Sequence, residues 1–135
     1  MSIVHGFGEH SARYDAMGEW FARRGFAVHS YDARGHGLSG GHPNYVQHFD
    51  EYVDDGMLFL KLVREEVAGA RHVLVGHSMG GLVVARMLAF RAPAVMCGVL
   101  SGAALALPAD FSKLKISAVR WLSRILPRFA TDLGL

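Results

Sequence analysis

Arg71-His72-Val73-Leu74-Val75-Gly76-His77-Ser78-Met79-Gly80-Gly81-Leu82-Val83-Val84-Ala85-Arg86-Met87-Leu88-Ala89 is the stretch whose reading decides the fold. Its opening is a short, β-branched apolar run of strand length. Its close, from Leu82, has the length and composition of a buried helix. Between them stands a serine with glycine at both second neighbours, the form of a nucleophile elbow. The reason for the glycines is steric: side chains at Gly76 and Gly80 would collide with the adjoining strand and helix. Ser78 is therefore expected on a strained turn with positive φ, its hydroxyl at a helix start and the Met79 N–H facing an incoming carbonyl oxygen. The alternative is a glycine- and serine-rich turn without chemistry, and the strand and helix in the required order weigh against it.

Working outward, the composition frames a single domain. The chain has 135 residues, 51% of them hydrophobic, with a formal net charge of +2. That balance describes a soluble globular protein with no basic excess for nucleic acid. The single cysteine, Cys97, lies in an apolar run, cannot form an internal disulfide, and is expected to be a buried, reduced thiol. No apolar run reaches membrane-spanning length, and no signal peptide precedes the first strand.

Strand and helix patterns alternate along the chain. Ser2 to His5 is a very short strand candidate. A helical pattern from about Arg13 to Arg24 puts Tyr14, Met17, Trp20 and Phe21 on one face, and Gly25 ends it. Phe26 to Tyr31 reads as a second strand, and about Asp50 to Ala68 as a second helix. The opening strand and helix follow, then a fourth strand from Val95 to Leu100. This is an α/β pattern, with crossovers long enough for parallel pairing. The expected sheet has four parallel strands in the spatial order second, first, third, fourth.

Two other chemistries fit poorly. Gly35-His36-Gly37-Leu38-Ser39-Gly40 matches a dinucleotide fingerprint, but Gly41-His42-Pro43-Asn44 follows it where a phosphate-binding helix should open. The eight histidines suggest a metal, yet none of them stands with cysteines or carboxylates at a ligand spacing. Neither a nucleotide nor a metal cofactor is expected.

Three stretches together carry a family resemblance. They are His5-Gly6-Phe7-Gly8-Glu9-His10-Ser11, then Asp32-Ala33-Arg34-Gly35-His36-Gly37-Leu38-Ser39, then Gly76-His77-Ser78-Met79-Gly80-Gly81. In order and approximate spacing they resemble the α/β-hydrolase superfamily, and the first and third are similar to its monoacylglycerol lipase and lysophospholipase branch. The resemblance implies an α/β-hydrolase fold and a serine hydrolase of lipid carboxylic esters. It implies Ser78 as nucleophile, and the Phe7 and Met79 N–H groups as an oxyanion hole. It gives Asp32 and His36 loop-fixing roles; a reduced Cys97 is consistent with a cytoplasmic setting, peripheral at a membrane if the cap touches lipid. Another serine esterase, or a non-catalytic protein on the same scaffold, are the alternatives.

The departures are as informative. Hydrolases of this fold supply their triad in the order serine, acid, histidine. After Ser78 the only carboxylates are Asp110 and Asp132, and no histidine follows at all. His77, next to the nucleophile, is expected to point away from it. The resemblance thus makes this chain the middle of a hydrolase, with the triad Asp and His outside it. Residues 1–104 would be a partial core and residues 105–135 the start of a cap. From Phe111 to Phe129 an apolar helical stripe is opposed by Lys113, Arg120, Arg124 and Arg128, with Pro127 ending or kinking it. In the family that region covers the acyl tunnel, which implies a lipid ester partner and transient contact with a membrane surface.

Overall fold

A computed structural model describes residues 1–106 together with residues 112, 117, 121 and 125. Apart from those four positions, the cap helix expected between Phe111 and Phe129 lies outside the described residues.

Four strands form one sheet: β1 (Ser2–Val4), β2 (His29–Ser30), β3 (Val73–His77) and β4 (Cys97–Ser101). All pairs are parallel and the order is β2-β1-β3-β4, as the alternation of strands and helices anticipates. The registers pair Ile3 with Val75 and Val75 with Val99. A central strand of a parallel sheet is covered on both faces, so it needs no alternation. Accordingly all three residues of β1 are buried.

The helices follow from the apolar periodicity. A 3₁₀ turn (Ser11–Tyr14) leads into α1 (Asp15–Ala22). The long α2 (Asp50–Glu66) buries Tyr52, Val53, Leu60 and Val63. The short α3 (Met79–Arg86) continues into a π turn (Met87–Arg91) and stops at Ala92, a left-handed residue. The core lies between the sheet and α2 with α3, where Val4, Leu74, Val53, Leu60, Val83, Val84 and Met87 interlock.

Three expectations need correction. The second strand is only His29–Ser30, because its ladder runs along the first two residues of β1 and ends there. The helix expected from about Arg13 to Arg24 is α-helical only over Asp15–Ala22, after the 3₁₀ turn that holds Tyr14; it buries no residue fully, and Trp20 is half exposed, against the Arg24 guanidinium and edge-on to the Phe21 ring. Cys97 is exposed rather than buried, since it begins β4, the last strand of the described sheet.

Candidate active site

The order β2-β1-β3-β4 sends the chain leftward from β1 and rightward from β3. Where connections diverge, a crevice opens beyond the carboxyl ends of the strands. The three motif stretches follow β1, β2 and β3 and meet at that end.

Ser78 lies between β3 and α3 with φ 50° and ψ −113°. Non-glycine residues with positive φ are uncommon and cost of order 1–3 kcal/mol, so the surrounding structure must over-determine the turn. Backbone bonds do so. The Ser78 N–H donates to the Ser101 carbonyl at 2.9 Å, while the Ser78 carbonyl accepts from Leu82 and Ala104. The hydroxyl stands at the N-cap position of α3 yet makes no capping hydrogen bond.

The glycines show why no side chain fits. A Cβ on Gly76 would overlap the Gly80 carbonyl, and one on Gly80 would overlap the Val4 and His5 carbonyls. A Cβ on Gly81 would come 2.6 Å from that of Ala103. The start of helix α3 therefore lies directly on the end of β1, with Gly80 against the Val4 and His5 carbonyls. Neither the Phe7 nor the Met79 N–H has a hydrogen-bond partner among the described residues.

His5 anchors that loop from beneath. It is buried; its Nδ1 lies 2.7 Å from the Gly6 carbonyl, and its Nε2 accepts the Ala33 N–H at 2.9 Å. Only the neutral Nδ1–H tautomer satisfies both contacts. Burial agrees, holding the imidazole below the usual histidine range.

Asp32 and His36 have loop-fixing positions. The Asp32 carboxylate accepts the Leu38 and Ser11 N–H groups at 2.8 and 2.7 Å, tying the loop after β2 to the loop after β1. These bonds stabilise the anion and hold its pKa at about 2. Gly37, at φ 52°, is obligatory here because a Cβ would run into that carboxylate. The buried His36 ring packs on His5 and edge-on to Phe7, with centroids 5.2 and 5.6 Å apart. Arg34 meets Asp55 through two hydrogen bonds of 2.6 and 2.7 Å and also pairs with Glu51, stapling the loop to α2.

His77 faces the opposite side of β3 from the buried Leu74 and Gly76. Its Nδ1 lies 3.4 Å from the Ser101 hydroxyl. Among the described residues no group of three His, Cys, Asp or Glu side chains could hold a metal ion, and no helix is long and apolar enough to cross a membrane.

Comparison with known proteins identifies the family and the fold. The family model described as serine aminopeptidase, S33 matches residues 1–134. The chain belongs to that family of α/β-hydrolases. Rat monoglyceride lipase is 32% identical over 130 residues, which cover 95% of this chain and 43% of that protein. Phospholipase YtpA of Bacillus subtilis is 30% identical over 134 residues, 98% of this chain and 51% of that protein. The crystal structure of Paleococcus ferrophilus monoacylglycerol lipase superposes with a TM-score of 0.76 at 34% identity, covering 99% of this chain and 50% of its own. The chain thus spans about half the length of the relatives it matches.

Two residues of this region escaped the sequence reading. Glu9 and Tyr14 both bond into the Gly6 turn. Their signal was a glutamate three residues after a glycine whose N–H needs an acceptor.

Proposed function

We propose that Ser78 is the nucleophile of a lipid ester hydrolase of the monoacylglycerol lipase and lysophospholipase type. The observation that carries this reading is Ser78 at positive φ on the β3–α3 turn, with an uncapped hydroxyl. In the reaction the Ser78 Oγ bonds to the ester carbonyl carbon while its proton passes to a histidine base. The alcohol leaves with that proton, and water then releases the fatty acid from the acyl-serine. The Phe7 and Met79 N–H groups donate to the oxyanion, and losing one such donor typically costs about 3 kcal/mol. Lipid esters as substrates are supported by what the lipases among the relatives are named for; contact of the cap with a membrane surface rests only on the basic, amphipathic pattern of residues 111–129 in the sequence.

No histidine occurs among residues 79–135, so the base is not among them. A serine hydroxyl without a base is a weak nucleophile at neutral pH. The 135-residue chain alone is therefore expected to hydrolyse monooleoylglycerol or p-nitrophenyl butyrate negligibly. Joining it to the C-terminal half of the Paleococcus lipase should restore hydrolysis and fluorophosphonate labelling, both abolished by Ser78→Ala. A folded chimera that works equally well with Ser78→Ala would overturn the assignment. Robust turnover by the chain alone would reveal a base among its own residues, with His36 and His10 the first to mutate. A folded chimera with no activity would instead support a second reading, a non-catalytic scaffold.

A further inference from the structure

The Gly6–Phe7 peptide carries the proposed oxyanion donor, so what fixes its orientation matters. In a trans peptide the Gly6 carbonyl and the Phe7 N–H point in opposite directions in one plane. Fixing the carbonyl therefore fixes the N–H. The Gly6 carbonyl accepts from His5 Nδ1 at 2.7 Å and from the Glu9 N–H at 3.3 Å. On the preceding peptide, the Gly6 N–H donates to Glu9 Oε2 at 2.9 Å, and the Tyr14 hydroxyl donates to the same oxygen at 2.7 Å. Glu9 thus closes the turn with both its backbone and its side chain.

The carboxylate is enclosed rather than solvent-borne: its side chain is 18% exposed. The groups that face it are the Gly6 N–H, the Tyr14 hydroxyl, the Arg13 guanidinium with Nε 3.5 Å from Oε1, and the His77 ring. Gly6 fits between Glu9 and the elbow, since a Cβ there would lie 3.1 Å from Glu9 Oε2 and 3.4 Å from His77 Cδ2. Burial alone would raise the Glu9 pKa, but the hydrogen bonds from Tyr14 and Gly6 outweigh it and hold the group below the usual glutamate range.

We infer that Glu9, buttressed by Tyr14, is a positioning residue that prevents the Gly6–Phe7 peptide from flipping and keeps the Phe7 N–H turned toward the elbow. The inference rests on the assignment of that N–H as an oxyanion donor. Charge-assisted bonds are about twice as strong as neutral ones, which suits a turn whose rotation would bury an unpaired carbonyl. Glu9 touches no reacting atom and acts through the peptide alone.

The test is amide NMR of the ¹⁵N-labelled chain, a readout that does not depend on Ser78 reactivity. In the parent chain the Gly6 amide should titrate with Glu9 and exchange with solvent about tenfold more slowly than an open loop amide. Glu9→Gln, which keeps an acceptor for both donors, should abolish the titration and retain the protection. Glu9→Ala should lose both and shift the Phe7 resonance while Leu74 and Val84 stay in place. Tyr14→Phe, which removes one hydroxyl, should reduce the protection without unfolding the sheet. The inference is overturned if Glu9→Ala leaves Gly6 and Phe7 unmoved, or if the Gly6 titration persists in Glu9→Gln. It is equally overturned if Glu9→Ala moves every sheet amide while the other two variants change nothing. An inactive chimera alongside a normal titration would count against the nucleophile assignment and not against the positioning role.

Discussion

At the scale of single residues, Ser78 is held where a side chain is disfavoured. Its φ of 50° with ψ of −113° is a conformation that glycine adopts with little penalty. Relief of that strain, partly offset by the greater freedom of glycine in the unfolded chain, should make Ser78→Gly about 1 kcal/mol more stable than the parent. Ser78→Ala, which keeps the Cβ and the strain, should be nearly neutral. Urea midpoints of the three proteins decide the matter, and a Ser78→Gly variant no more stable than Ser78→Ala would show that the turn is unstrained. The elbow was legible in the sequence because its constraint is local: Gly76, Gly80 and Gly81 stand where only hydrogen fits, and their spacing records it. Glu9 and Tyr14 were not legible, because their shared hydrogen bonds depend on how the turn after β1 closes, and no periodicity encodes that.

At the scale of elements, legibility followed burial. Helix α2 was anticipated to within about two residues at each end because one face is apolar over its whole length. The second strand was overestimated because Phe26 to Tyr31 has strand propensity, whereas ladder bonds need a partner and β1 offers only two paired positions. The loop after β2 is irregular, yet it is among the most heavily bonded segments, pinned by Asp32 at one end and by Arg34 at the other. Asp32→Asn replaces a carboxylate that accepts two N–H groups with an amide that accepts one. At neutral pH it should cost about 1–2 kcal/mol, allowing for the solvent that partly screens the loop. The sign follows from linkage: the folded pKa of about 2 lies below the unfolded value, so this stabilisation is complete above about pH 4 and vanishes as pH falls through about 2. Parent and Asp32→Asn denaturation curves that stay apart at pH 2 would contradict this account.

At the scale of the whole molecule, two buried histidines set the first acid limb of stability. His72 opens the approach to β3, is 3% exposed, and has no hydrogen-bond partner for either ring nitrogen among the described residues. Burial lowers its pKa, and the Met1 amino group, Arg64 and His29 add repulsion against a further positive charge. His5, also buried, is held below the usual histidine range by desolvation, which outweighs the opposing pull of the Gly6 carbonyl, while the Ala33 N–H occupies its Nε2. In both, the folded pKa lies below the unfolded one, so the unfolded chain takes up the proton first. Stability is therefore full above about pH 6.5 and falls as pH drops below it, by about 1.4 kcal/mol per pH unit for each such histidine until its folded pKa is reached. This limb begins at higher pH than the Asp32 limb, so acid destabilisation should set in before Asp32 takes up a proton. His72→Leu removes one contributor and leaves no unpaired ring nitrogen in the core, and Leu is close enough in size to fill the site. Its thermal midpoint should match or exceed that of the parent at pH 7, and its loss of stability below about pH 6.5 should be shallower than the parent's. If His72→Leu retained the parent slope, the site would have to admit water or a partner that neutralises the charge, and His72 would not be among the groups that limit the fold in acid.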